Sequence, residues 1–321
     1  MSTGLAIPVF CVSLAATLAA TVVFARELDR LSERLGLSEG LHGILTALGA
    51  DAPEIATAVA ALLSSRSKIG VGVVVGSNVF NLAALLGLSA VVAGHVRIHR
   101  HGLLLNGAVG LAVTGLAVAL VLGSIGAGVA TALLLVVFVP YVALLALPPR
   151  CGFLAAAVHE EVEDIRVGEH PPKASRADGL VLSAALALIV LGSIGMVHAA
   201  EDLGRRWGVS DVIVGTLVLA ALTSLPNLLT AVRLALRGRG AATVSEAFNS
   251  NSLNVLAGIA VPSLFLALGS ANGLVTFSVW WLLGMTAAAV AFAYAGHGLR
   301  RAEGAAVIAL YVAFAAVIAS R

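Results

Sequence analysis

Two carboxylates stand where an apolar chain has little reason to keep them. Asp51 and Glu54 lie in "GADAPE", residues 49–54, inside the run "GILTALGADAPEIATAVAALL". Three residues apart on a helix, they share one face. Two ionised carboxylates in hydrocarbon repel each other and are poorly solvated, so the pair calls for a cation between them or a proton on one of them. Either condition suits a protein that trades a cation for protons or for another cation. Pro53 stands between the acids. Lacking an amide hydrogen, it frees a carbonyl one turn earlier, around Gly49. Such carbonyls persist at membrane depth only where protein, water or an ion satisfies them.

The motif has a second copy. "GADAPEIATAV" is followed by "GSNVFN" at 76–81, and "LTSLPNLLTAV" at 222–232 is followed by "NSNSLN" at 249–254. A constant shift of 173 carries Pro53 onto Pro226 and Thr57 onto Thr230, and the same shift carries Ser77, Asn78 and Asn81 onto Ser250, Asn251 and Asn254. Pro226 frees the carbonyl around Leu222, and both prolines are expected to break their helices. Around them Thr223, Ser224, Asn227, Ser77, Asn78, Asn81, Ser250, Asn251 and Asn254 add hydroxyl and amide oxygens to the Asp51 and Glu54 carboxylates. This mixture of hard oxygen donors suits Ca2+, which takes about 6–8 of them, and could equally hold Na+. Neither motif contains Cys or His, which argues against a soft-metal site.

The elements that must position these groups follow from composition. The 321 residues are 60% hydrophobic and only 11% charged, with a mean hydropathy of +1.03, which marks an integral membrane protein. Ten apolar runs, near 5–25, 40–64, 69–94, 102–122, 125–147, 179–200, 210–236, 243–268, 273–295 and 302–320, are each long enough to cross a bilayer as a helix. The fold class expected is therefore an all-α membrane protein of about ten transmembrane helices. The long connection 148–178 divides it into a first five-helix repeat, 1–147, and a second, 179–321. Five is odd, so the second copy enters the membrane from the opposite face, as in many secondary transporters. With both termini outside, fourteen of the nineteen Lys and Arg residues fall in inner loops, Arg97, Arg100, Arg237, Arg239, Arg300 and Arg301 among them. The positive-inside rule then places the 148–178 loop in the cytoplasm. The dominance of Ala, Gly and Arg over Lys suggests a GC-rich bacterial genome and hence the cytoplasmic membrane.

Other polar features carry less. Glu246 lies four residues before Ser250, at the mouth of the motif, and is a possible third carboxylate or an interfacial one. His42 reads as interfacial, His95, His99 and His101 as a solvated loop, and "EEVED" at 160–164 as part of a cytoplasmic linker. Cys11 and Cys151 form neither a disulfide framework nor a metal cluster. No nucleotide loop, zinc pattern or Ser/Lys pair supports an enzyme, and the scattered basic residues suggest no nucleic-acid partner. Lipid and small cations are the expected partners, and the transported ions, Ca2+, Na+ or H+, stand in place of any cofactor. A Na+/H+ exchanger on the same scaffold or a passive cation channel would also keep acids at mid-membrane.

The paired motifs resemble those of the Ca2+/cation antiporter superfamily, the sodium/calcium exchanger group, whose α-repeats read G-T-S-L-P-E followed by G-S-N-x-x-N or G-S-N-x-x-D. The resemblance implies exchange by alternating access, with the motif glutamates as shared cation ligands. Glu54 matches the first-repeat glutamate. Ser77, Asn78 and Asn81 match the first G-S-N-x-x-N; Thr223, Ser224 and Pro226 match T-S-x-P; Ser250, Asn251 and Asn254 match the second asparagine motif. The chain departs from the pattern in five places. Ala50 and Asp51 replace Thr-Ser, leaving only a backbone carbonyl at Ala50; Asn227 replaces the second glutamate; Asn249 replaces a glycine; Val73 replaces an asparagine that Glu246 matches in position in the other copy. Asp51 thus restores a carboxylate pair, but on a single helix, with Asp51 and Glu54 as the principal metal ligands.

Overall fold

In a bilayer every backbone polar group must be satisfied within its own segment, so long apolar runs become helices. The computed structural model describes residues 3–34, 39–147, 152–158 and 178–320, and is nearly all-helical. Most of the 148–178 connection, with "EEVED" and Cys151, lies outside the described residues, as does the side chain of His42.

The first half comprises α1 (Thr3–Arg34), α2 (Glu39–Leu63), α3 (Ser67–Ala93), α4 (Arg100–Val121) and α5 (Ala127–Ala146). The second comprises α6 (Asp178–Trp207), α7 (Asp211–Thr223), α8 (Leu225–Leu236), α9 (Gly240–Val255), α10 (Gly273–Gly296) and α11 (Arg301–Ala319). Eight of these helices are long and apolar enough to cross a membrane, and the bent pair α7–α8 makes a ninth. The run expected at 243–268 is α9, continued by a π-helical turn at Leu256–Ala260 and a 3₁₀ turn at Pro262–Leu264. Every residue of α9 is buried. A helix enclosed by protein needs no lipid-facing side, which is why it can carry "SEAFNSNSLN".

Two expectations are corrected. Helix α2 runs unbroken through Pro53, whereas α7 and α8 meet at a 47° bend with Pro226 in the first turn of α8. The reason lies in the residues before each proline. Thr223 Oγ1 donates to the Leu219 carbonyl at 2.9 Å and Ser224 Oγ to the Ala220 carbonyl at 2.8 Å. Such back-bonding bends helices. Ala50 has no hydroxyl, and Asp51 directs its carboxylate elsewhere. The second correction is a short antiparallel ribbon, β1 (His95–Arg97) with β2 (Gly298–Arg300), pairing Val96 with Leu299 where a plain loop is expected.

The ribbon marks one end of the molecule. A Cβ on Gly240 would lie 1.8 Å from the Arg97 carbonyl oxygen, so the start of α9 packs directly on the chain leaving α3. At the other end, a Cβ on Gly269 would meet Ser67 Oγ at 2.7 Å, where α3 begins. Helices α3 and α9 therefore run antiparallel through the centre. A π-helical turn follows each asparagine motif, Leu82–Leu88 within α3 and Leu256–Ala260 directly after α9. Around them the core is built of Val, Leu, Ile and Ala, with α1 laid along α6.

Candidate cation site

Four segments meet at the centre: the middle of α2, the start of α8, and the motif turns of α3 and α9. Asp51, Glu54, Ser77, Asn78, Asn81, Thr223, Ser224, Asn227, Ser250 and Asn254 are all fully buried, and Ala50 and Asn251 nearly so. The sequence places these residues in two motifs 173 positions apart, and the fold brings them into one polar cluster.

At its heart is the Asn227 amide nitrogen. It donates to Asp51 Oδ1 at 2.6 Å and to Glu54 Oε1 at 2.9 Å, with Ser250 Oγ at 3.2 Å. An amide has two hydrogens, so three acceptors exceed what it can serve. Ser250 Oγ donates to the same Asp51 oxygen at 2.5 Å. Asn254 donates to Glu54 Oε2, and the Ser77 and Ser224 hydroxyls lie beside that carboxylate. Every donor reaching the two acids is neutral. Two carboxylates on one helix face, some 5–6 Å apart, repel by about 3 kcal/mol at an effective dielectric near 20, and each buried charge also costs several kcal/mol in lost hydration. Charge-assisted hydrogen bonds return about 1.5–3 kcal/mol each. Neutral donors therefore hold the acids in place without neutralising them.

The asparagines knit the two motifs reciprocally. Asn78 Nδ2 donates to the Asn251 carbonyl at 3.0 Å, and Asn251 Nδ2 returns a bond to the Asn78 carbonyl at 3.1 Å. Asn81 Nδ2 reaches Asn251 Oδ1 at 3.3 Å, and Asn254 Nδ2 reaches Asn78 Oδ1 at 3.3 Å. Each bond maps onto its partner under the shift of 173. One bond has no counterpart: Asn81 Nδ2 also donates to Ser250 Oγ at 2.9 Å, while Asn254 turns to Glu54.

The cluster leaves several oxygens unpaired. Among the described residues no donor reaches Asp51 Oδ2, Asn81 Oδ1, Asn227 Oδ1 or Asn254 Oδ1, all buried. Leaving a buried acceptor unmade costs about 1–3 kcal/mol, and four such acceptors around two acids form a donor set for a hard cation. Among the described residues, no three His, Cys, Asp or Glu side chains converge on one point. Glu246, buried and one helical turn from Ser250, therefore stands back from the Asp51–Glu54 pair.

Some contacts around the site carry no motif signal. Thr57, one turn beyond Glu54, donates to Ser193 Oγ of α6 at 3.2 Å. Thr57 falls within the repeated motif; Ser193 stands alone in an apolar run and only the fold finds it. Helix α7 presses its backbone on α3: a Cβ on Gly76 would lie 2.2 Å from the Thr216 carbonyl oxygen, and one on Gly215 2.5 Å from that of Ile69. Glycine at these places lets the two backbones touch.

This architecture is shared. An H+/Ca2+ exchanger, CAX, aligns with a TM-score of 0.75 at 15% identity, covering 98% of this chain and 85% of that one. The sodium-calcium exchanger NCX_Mj, soaked with Na+ and Sr2+, aligns with a TM-score of 0.64 at 21% identity over 98% and 99% of the two chains. In sequence, the chain is 30% identical over 139 residues to the sodium/calcium exchanger MaX1 of Methanosarcina acetivorans, a stretch covering 43% of this chain and 39% of that relative. The match spans 39% of MaX1 and 12% of the sodium/potassium/calcium exchanger 3 of Homo sapiens, whereas a putative antiporter, CaxA of Alkalimonas amylolytica, is matched over 72% of its length at 26% identity. The Sodium/calcium exchanger protein family itself matches at residues 5–147 and 179–319, both halves of the chain on either side of the long connection. The chain belongs to the sodium/calcium exchanger family.

Proposed function

We propose that this protein is a secondary active antiporter that exchanges Ca2+, or a related cation, for H+ or Na+ by alternating access. The observation that carries the reading is the Asp51–Glu54 pair, fully buried, bridged by Asn227 from the equivalent position of the other motif and ringed by unpaired oxygens. A cation entering there displaces the amide hydrogens from both carboxylates. A half-turn of the Asn227 side chain then presents Oδ1, now without a donor, as a ligand. Asp51 and Glu54 supply the charge; Ser77, Asn78, Asn81, Thr223, Ser224, Ser250, Asn251, Asn254 and the Ala50 carbonyl line the remaining shell. With no cation present, a proton on each acid takes its place, and the two occupancies alternate during exchange.

The same reading divides the chain at 148–178 into two five-helix repeats, 1–147 and 179–321, with α9 and the bent α7–α8 completing ten spans. The reciprocal asparagine bonds support an inverted pseudo-two-fold relation between the halves. Arg97, Arg100, Arg237, Arg239, Arg300 and Arg301 gather toward the ribbon end, so we orient that end to the cytoplasm and both termini outward.

Asn227 shapes the coupling. A neutral amide where the family has a glutamate leaves two carboxylates, both on α2, to balance the cargo. Two negative charges match one Ca2+ against two protons, whereas three Na+ would be less well compensated. The test is uptake of radiolabelled Ca2+ into proteoliposomes under an outward H+ gradient and, separately, an outward Na+ gradient. Uptake driven by H+ is expected. Uptake under neither gradient would overturn the Ca2+ reading and point to monovalent cation/proton exchange on the same scaffold.

A further inference from the structure

The site lies between two antiparallel helices in matched register, and their approaches to it differ. On α3, the stretch Ile69–Gly76 that leads to Ser77 reads Ile69, Gly70, Val71, Gly72, Val73, Val74, Val75, Gly76, all buried. No polar side chain occurs along it. The shift of 173 carries Gly70 onto Thr243, Gly72 onto Ser245, Val73 onto Glu246 and Gly76 onto Asn249 of α9. Four positions that are glycine or valine on one side are thus hydroxyl, carboxylate or amide on the other. On the α3 side the glycines close the structure, since Gly72 and Gly76 abut Thr216 of α7. On the α9 side polar groups continue outward from the site. Asn249 Nδ2 donates to Ser245 Oγ at 2.9 Å, Ser245 Oγ lies 3.5 Å from the Tyr141 hydroxyl, and Tyr141 donates to Asn106 Oδ1 at 2.9 Å. Glu246 is buried on the face that carries Ser250, which bonds Asp51. Four residues along a helix is about 6 Å.

Burying a polar group is costly unless it is hydrogen-bonded, and here the groups bond one another in a file that leads outward from the site. We propose that the ribbon-end half of α9 is a hydrated access lane with Glu246 as its loading carboxylate, a second cation station one turn from the Asp51–Glu54 pair, and that the valine–glycine half of α3 gives the opposite face no such station. The inference rests on the antiporter reading for its direction of traffic, but the lane itself is a property of the fold. A divalent cation arriving from the ribbon face meets Glu246 first and steps from it to Asp51, with Ser250 between them.

The lane and the station are tested separately. In everted membrane vesicles, which expose the ribbon face, Glu246→Gln is expected to raise the half-saturating Ca2+ concentration roughly tenfold, the size of a Coulomb contribution of one to two kcal/mol at this range. In right-side-out vesicles the value should stay within about twofold, and Glu246→Asp should restore most of the ribbon-face affinity. An equal change at both faces, or none at the ribbon face, overturns the loading role. If the wild type moves no Ca2+, the antiporter reading fails instead, and the lane is judged by labelling alone. On a Cys11→Ser, Cys151→Ser background, a membrane-impermeant methanethiosulfonate should modify Asn249→Cys from the ribbon face and leave Val73→Cys unmodified from either face. An inert Asn249→Cys, or a reactive Val73→Cys, overturns the lane.

Discussion

The two proline segments occupy equivalent register and have divided the work. In the first, Ala50-Asp51-Ala52-Pro53-Glu54 gives an unbroken helix carrying two acids. In the second, Thr223-Ser224-Leu225-Pro226-Asn227 gives a 47° bend and no acid. Each difference has a local cause. The hydroxyls of Thr223 and Ser224 compete for the carbonyls of the preceding turn and release the helix there, whereas Ala50 cannot and Asp51 is held by Asn227 and Ser250. The comparison teaches that a repeat can carry its charge on one copy and its bend on the other while keeping the asparagine frame that joins them.

The largest expected effect lies on the charged copy. Glu54→Gln should reduce Ca2+ uptake in proteoliposomes to background, because one carboxylate cannot balance a divalent ion among neutral donors; Asn227→Ala, on the bent copy, should leave measurable uptake with weakened affinity. Equal losses in the two variants would erase the proposed division. Next comes the packing that the bent copy imposes. In Gly76→Val the new side chain meets the Thr216 carbonyl of α7, where even a Cβ falls at 2.2 Å. A thermal-melt shift equivalent to about 1–3 kcal/mol or more of destabilisation is expected from such overpacking. The valine being tolerated would mean that α7 does not press on α3 as described.

A smaller effect belongs to the turn that ends the unbroken copy. Arg66 Nη2 pairs with Glu201 Oε1 at 2.5 Å, and Glu201 is 3% exposed. The Arg66 side chain is 39% exposed, so solvent screens much of the interaction. Arg66→Gln should therefore cost only about 1 kcal/mol in melting experiments and leave uptake intact. The smallest effect is at the ribbon, away from both copies. Partial burial first, then the Arg97 and Arg300 guanidiniums, holds the His95 imidazole below its ordinary value of 6.5. The folded protein thus resists the proton that the unfolded chain accepts, and this contribution to stability is lost as pH falls through about 6.5. His95→Gln should flatten the decline in melting temperature between neutral and mildly acidic pH. A steeper decline would contradict the sign.

Much of the candidate site is legible in the sequence alone. An acid pair in an apolar run, two prolines and two asparagine motifs in constant register need only the residue types and the spacing, because each is costly in a membrane. The fold brings all of them together. What was not legible depends on competition between neighbours. Pro53 reads as a breaker from its chemistry alone, yet the helix closes over it since nothing nearby competes for its carbonyls. The π-helical turns after Asn81 and Asn254 add one residue to a turn without a sequence marker. The ribbon at Val96 and Leu299 is three residues long, below any periodicity that a strand could display. Helix α9 reads as part of a span over 243–268, but that the helix is wholly enclosed, and so can carry so many polar groups, shows only in the fold. Ser193, the partner of Thr57, carries no pattern at all.

The most direct measurement is Ca2+ binding to the purified protein in detergent, followed calorimetrically for the wild type, Asp51→Asn and Asn227→Asp. If the charge has moved onto α2, Asp51→Asn should weaken binding roughly tenfold or more, the loss of at least about 1.4 kcal/mol, while Asn227→Asp should tighten it by adding a third carboxylate. Unchanged binding in Asp51→Asn would contradict the relocated pair and return the cation to Glu54 alone.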